Sequence, residues 1–207
     1  MSRVMPVSAF ICITMLLAVG PSANTVQAAQ ATPVAQMSAP ATMPVPADYR
    51  EWIFLTAGLD MTYNAPSAVG LTAEHHSVFD NVFVNPDAYR TFRKTGTWPD
   101  DTTFVLENRI GEGDVSINKA GKTQGHDVTG LEIHRKLHGE WAFYVQAKDG
   151  GERLLPRPAS CYTCHEQHAA VDTTFVQFYP TLLPMAKEKH TLSEAYLRDP
   201  ETKADAK

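Results

Sequence analysis

Two cysteines three residues apart, followed at once by a histidine, constrain this chain more than any other feature: Cys161-Tyr162-Thr163-Cys164-His165. The third cysteine, Cys12, lies in an N-terminal stretch with the marks of a leader. Arg3 gives a positive start, Val7 to Val19 is an apolar run, and Val26-Gln27-Ala28 offers a small-residue cleavage site. The run is shorter than the roughly 20 residues a membrane-spanning helix needs. Residues 1–28 are therefore read as a removable signal for export to the periplasm, an uncleaved anchor being the alternative. Removal leaves Cys161 and Cys164 as the only thiols. One pair is no disulfide framework, so the pair needs an explanation of its own.

Zinc would require two more strong ligands at close spacing, and only His168 stands nearby. A thioredoxin-like pair belongs between a strand and a helix of a βαβ unit, and no such rhythm surrounds it. A plain disulfide leaves His165 idle. C-x-x-C-H is the attachment signature of haem c. On one helical turn, two thiols three apart can each form a thioether to a vinyl group, and the adjacent imidazole can ligate the iron. Cys161, Cys164 and His165 are thus the expected cofactor residues, with His165 as the iron ligand. Arg157, four residues earlier, is a candidate for a haem propionate or the proximal side. No strong ligand stands out for the opposite face. His75-His76 and Met61 are the nearest candidates, and an open sixth position is favoured.

The 207 residues suffice for one domain with a sizeable core. A formal charge of −5 without a basic stripe argues against nucleic acid as a partner. Residues 29–46 are Ala- and Pro-rich and uncharged, and are read as a flexible tether. The domain should occupy 47–190 and a charged, fraying tail 191–207. Within the domain, Asp48–Leu55 looks like a short helix. His76–Val84, Thr102–Ile110, Thr129–His134 and Trp141–Val145 carry the β-branched and aromatic alternation of strands. Asn85-Pro86 should open a helix that Gly96 closes. Cys161–Val171 should be helical, with Asp172–Leu183 less clearly so. This predicts a mainly β (α+β) fold: an antiparallel sheet with peripheral helices and a C-terminal helix bearing the haem motif.

The block HSVFDNVFVNPDAYRTFRKTGTWPDDTTFVLE, then WAFYV, then PASCYTCHEQHAAVDTTFVQFYPTLLP, resembles the cytochrome P-460 family of periplasmic mono-haem proteins. The resemblance runs from about Tyr49 to Pro184 and is most specific around C-x-x-C-H. It implies an antiparallel β fold, usually a homodimer, with one covalent five-coordinate haem c. The family includes proteins that oxidise hydroxylamine, with a lysine cross-linked to the haem ring. It also includes cytochrome c′-beta, which lacks the cross-link and binds nitric oxide behind an aromatic distal wall.

Lys94, in Phe92-Arg93-Lys94-Thr95-Gly96, is matched to the cross-linking lysine. Its alternative is ordinary helix electrostatics, since Arg90, Arg93 and Lys94 crowd a helix C-terminus. Lys119 and Lys122 are weaker candidates. Glu152 is the first choice for a distal proton acceptor, its alternative being a solvated turn residue paired with Arg153. Phe79, Phe83, Trp98 and Phe104 could form the aromatic wall or simply pack a core. The expected activity is hydroxylamine oxidation, with a redox partner the sequence does not identify. The alternatives are nitric oxide binding without turnover, and simple electron transfer if Met61 or His75 closes the sixth position.

Overall fold

The computed structural model describes residues 39–61, 77–147 and 151–200. Residues 1–28, expected to be a leader, most of the expected tether and the pair His75-His76 lie outside the described residues. Seven strands form one fully antiparallel sheet in the order β1-β7-β6-β5-β4-β3-β2. The strands are β1 (Thr42–Met43), β2 (Ile53–Leu59), β3 (Val78–Val84), β4 (Thr103–Glu112), β5 (Thr123–Leu137), β6 (Glu140–Gln146) and β7 (Glu152–Leu154). From β2 to β7 the chain is a simple meander, and β1 adds to its far edge. The helices are α1 (Pro86–Thr95), α2 (Ser160–His168), α3 (Leu183–Glu188) and α4 (Glu194–Arg198). The mainly β fold with peripheral helices is as the sequence predicts.

Alternation divides the sheet into two faces. On β6, Trp141 and Phe143 enter the main core, whereas Ala142 and Tyr144 enter a smaller cluster with Met43 and Ile133. The main core also receives Phe92 of α1, Tyr162 of α2, Ala186 of α3 and Tyr196 of α4. All four helices therefore cover one face. At the centre of that face, Trp98 packs edge-on to Phe104 at 4.9 Å and against Phe92 at 4.2 Å.

Helix α1 obeys its sequence signals, with Pro86 in the first turn and Gly96 in the left-handed conformation (φ 78) at its end. Asn85 acts differently from the cap expected of it. Its Oδ1 accepts from the backbone N–H of Thr103 at 2.8 Å, which ties the helix entrance to β4. A side chain on Gly96 would collide with Lys189 and Thr191 as well as strain the backbone.

Three expectations fail for physical reasons. Asp48–Leu55 is not a helix: a single 3-10 turn at Tyr49–Glu51 leads into edge strand β2, because Ile53, Phe54 and Thr56 pair with β3. The end of the supposed tether is ordered, since Thr42 and Met43 pair with Arg153 and Glu152 and Met43 is buried. The start of the supposed tail is ordered too. Ser193 caps α4 and donates to the Ala169 carbonyl at 2.7 Å, and Tyr196 is only 4% exposed. Short apolar groups dock each segment, Met43 with Ala39 and Val45 in one, Tyr196 with Leu192 in the other.

On the sheet face away from the helices, Glu107 is a buried carboxylate that receives hydrogen bonds from Tyr49, Arg109 and Arg50, the last at 2.9 Å and 3.1 Å. Burial pushes its pKa up, but the bonds from Arg109, Tyr49 and Arg50 outweigh burial and hold it at about 2. Burial and the bond to Glu107 push Tyr49 the other way, up to about 12. A carboxyl held below its unfolded value stabilises the fold fully above that value, and the contribution fades as the pH falls through the folded value. Stability should therefore drop on acidification between about pH 4.5 and pH 2. In chemical denaturation, Glu107→Gln should lose on the order of 3 kcal/mol at pH 7 and show a shallower acid limb.

Candidate functional site

The site begins with the anchoring of α2. Tyr162, inside the C-x-x-C-H motif, lies flat on Phe143 at 4.4 Å with 4° between the rings. Its hydroxyl accepts from the Phe143 N–H and donates to the Leu155 carbonyl, both at 3.1 Å. The Arg157 guanidinium sits 3.9 Å from the Tyr162 ring centroid and pairs with Glu166 at 2.9 Å. With Tyr162 fixed, Cys161, Cys164 and His165 line a cavity of about 580 Å³ between α2 and the sheet. Both thiols are free. Burial, and secondarily Cys161, pushes the Cys164 thiol up.

His165 is oriented by one bond. Its Nδ1 lies 2.8 Å from the Thr173 carbonyl, which can only accept, so Nδ1 carries the proton and Nε2 keeps its lone pair. Burial, then the neighbouring His134, lowers its pKa to about 4, and the ring is neutral near pH 7. Phe175 at 4.3 Å and Phe143 at 4.7 Å hold it laterally.

The accepting carbonyl sits in an unusual turn. Val171 and Thr174 are joined by backbone bonds in both directions, and Asp172 (φ 49) and Thr173 (φ 55) between them are both left-handed. This is the geometry of a type I′ turn, normally made by Asn and Gly. A β-branched residue in that region costs on the order of 1–3 kcal/mol. The buried Thr173 hydroxyl also has no partner. The turn ends α2 at His168, earlier than the Val171 that the sequence suggested.

Opposite α2, the sheet contributes polar groups. Asp80 of β3, Asn108 of β4, and Glu132 and His134 of β5 all line the cavity. Asn108 donates to Asp80 at 2.5 Å, and Asp80 and Asn108 are directly opposed in the ladder. Burial pushes the Asp80 carboxyl up, whereas His134, 3.8 Å from Glu132, holds that carboxyl below the usual range against burial. Phe104, Phe175, Phe178 and Tyr179 form the apolar part of the wall.

The fit to a haem can be judged from the donors. Two free thiols one helical turn apart, a neutral imidazole with a free Nε2 and an aromatic-walled cavity are the set a covalent haem requires.

The other expected residues divide. Met61 and Phe104 line the cavity. Lys94 does not: it is exposed on the last turn of α1, where its charge complements the helix dipole. Glu152 does not either, being buried in β7 opposite Met43 and Gln146. Arg157 braces α2 from outside the cavity. Phe79 and Phe83 alternate with Asp80 and Val82 and so point away from the cavity, and Trp98 belongs to the core, donating to Thr174 Oγ1 at 2.8 Å. Lys119 and Lys122 lie in or beside the exposed β4–β5 loop.

The carboxylates that do reach the cavity were missed, although a signal existed for one of them. Asp80 stands between Val78 and Val82 on one strand face, whereas Glu132, between Gly130 and His134, carries no such local mark. A charge between apolar same-face neighbours marks a strand face that is enclosed yet polar.

No curated protein matched the chain. The Cytochrome P460 family profile matches residues 46–176, a span that holds six of the seven strands, α1, the C-x-x-C-H motif and the left-handed turn behind His165. The chain belongs to the cytochrome P460 family, whose cofactor is haem.

Proposed function

We propose that the chain is an exported protein that would carry one covalent haem c, held by thioethers to Cys161 and Cys164 with His165 ligating the iron, and that it oxidises hydroxylamine at an open iron site. One observation carries this reading: the cavity that holds the thiols and the neutral imidazole also holds the carboxylates Asp80 and Glu132. When bound, the haem supplies an iron that coordinates a small nitrogen ligand and accepts electrons from it.

The chain's own residues have distinct tasks. Oxidation of hydroxylamine releases protons together with electrons, and a carboxylate within reach of the nitrogen can take them. Glu132, kept ionised by His134, is the acceptor, and the Asp80–Asn108 pair offers a hydrogen-bonded second carboxylate beside it. Phe104, Phe175 and Phe178 keep water from the rest of the cavity. Export rests on the leader-like residues 1–28 and on a motif whose thiols have no other use.

A second reading is nitric oxide binding without turnover, as in cytochrome c′-beta. The exposed position of Lys94 favours it, because no lysine lines the cavity among the described residues. Electron transfer alone would require Met61 on the iron.

Produced in a host that attaches haem c, the protein should gain the mass of one haem, and Cys161→Ala/Cys164→Ala should lose it. Ferrous protein should bind nitric oxide, and hydroxylamine should reduce an added dye acceptor. Glu132→Gln should slow that reduction about 10²–10⁴-fold while leaving nitric oxide affinity within a few-fold. A loaded protein that binds nitric oxide but never reduces the dye would establish the second reading. Lys94→Ala should leave the ferrous absorption spectrum unchanged, and a changed Soret band would return Lys94 to the haem.

A further inference from the structure

Behind the left-handed turn lies a cation that the chemistry above does not use. Lys136, on β5, carries its ammonium to the Asp172 carboxylate at 2.6 Å and to the Trp98 carbonyl at 2.9 Å. Both partners of the pair are largely enclosed, with side-chain exposures of 13% and 27%. Asp172 is the first central residue of the turn, and Thr173, whose carbonyl receives the Nδ1–H of His165, is the second. The same turn is held from its other end. Trp98 Nε1–H donates to Thr174 Oγ1 at 2.8 Å, and that hydroxyl donates to the Val171 carbonyl at 2.6 Å. The one polar side chain in the turn that makes no hydrogen bond is Thr173, whose buried hydroxyl has no partner. Two left-handed non-glycine residues persist only where the surroundings over-determine them, and the flanking bonds do so here.

We propose that the Lys136–Asp172 ion pair is a positioning device for the axial imidazole: it fixes the Thr173 carbonyl against His165 Nδ1 and so sets how strongly that imidazole donates to a bound haem iron. The inference rests on the haem reading above. A firm hydrogen bond at Nδ1–H makes the imidazole more electron-rich at Nε2, which strengthens its bond to iron and favours the ferric state. Loosening the turn weakens both effects. Lys136 and Asp172 touch neither ligand nor iron, so they are positioning residues acting through Thr173.

Two variants separate this from simple electrostatics. Asp172→Asn keeps a residue that tolerates left-handed backbone, and Lys136→Met removes the cation. Through charge alone, losing the carboxylate raises the reduction potential and losing the ammonium lowers it. Through the carbonyl, both variants raise it. Spectroelectrochemical titration of the haem-loaded proteins should therefore show upward shifts in both, with the double variant falling between the two single ones rather than at their sum. Resonance Raman of the ferrous proteins should show a lower iron–histidine stretching frequency in both, and Lys136→Arg should return both readings towards those of the unsubstituted protein. Shifts of opposite sign, or an unchanged stretching frequency, would overturn the proposal. Should Lys136→Met fail to fold, Asp172→Asn still decides it, because charge alone raises the potential without moving that frequency. An unsubstituted protein that takes up no covalent haem overturns the haem reading and this one with it. A loaded protein with the wrong pattern overturns only this one.

Discussion

The stacking of Tyr162 on Phe143 is the contact on which the cavity depends. A helix of nine residues has little stability of its own, and its apolar positions here do not form a continuous stripe. Tyr162 supplies what the helix lacks. The parallel ring contact is worth about 0.5–1.5 kcal/mol beyond area burial. Its hydroxyl also satisfies two backbone groups, those of Phe143 and Leu155, at a point where water has little access. Because Tyr162 is the first of the two variable residues in C-x-x-C-H, fixing it fixes the roll of the helix. Cys161 and Cys164 then face the cavity on the same helical turn, with His165 beside them. The motif specifies the chemistry, and the residue it leaves open specifies the direction in which that chemistry points.

The sheet meets this helix with a surface that is apolar at one end and polar at the other. Phe104, Trp141 and Phe143 continue into the main core, whereas Asp80, Asn108 and Glu132 occupy the same face farther along the strands. A carboxylate at the wall of an apolar cavity is costly unless it is hydrogen-bonded. Asp80 accepts from Asn108, and Glu132 has the His134 imidazole 3.8 Å away, which holds its carboxyl below the usual range. The opposite face of the sheet meets the same constraint differently, enclosing Glu107 among Tyr49, Arg50 and Arg109, where it is saturated with donors. Glu107 is fully engaged in structure. Glu132, with one imidazole beside it, keeps acceptor capacity for a ligand.

What the sequence disclosed follows from the range of each signal. The C-x-x-C-H triad is local and complete, so the three residues that α2 brings to one cavity could be singled out from sequence, as could α1, with Pro86 and Gly96 at its ends, and the four strands β3 to β6. β1 and β7 contain two and three residues, too few for any period, and they exist only because the neighbouring strand supplies partners. β2 was mistaken for a helix because Trp52, Leu55 and Leu59 stand at helical spacing, while the pairing that decides the matter comes from β3. The site residues failed in the same way. Lys94 and Glu152 were chosen for their side-chain chemistry, but helix phase turns one to solvent and strand pairing encloses the other at the far edge of the sheet. Glu132 and Asp80 required knowing which strand face looks towards α2, and that is a tertiary fact.

The left-handed turn at Val171–Thr174 shows why the His165 side of the cavity is the more tightly specified one. A backbone carbonyl has no titration and no rotamer, so the only way to aim it is to constrain the chain that carries it. Asp172 and Thr173 are poor residues for the conformation they adopt, and a chain selected for local ease would place Asn and Gly there. The strain is tolerated because three unrelated elements hold the turn: Lys136 from β5, Trp98 from the segment after α1, and the end of α2 itself. Each of those elements also forms part of the fold's framework, Trp98 as the centre of the aromatic core and β5 as the strand that carries Glu132 and His134. A shift of β5 along its register would therefore move Glu132 and His134 in the cavity wall and Lys136 behind the His165 turn together. The two sides of the cavity are coupled through one strand, and the placements of His165 and of Glu132 cannot be changed independently by sliding it.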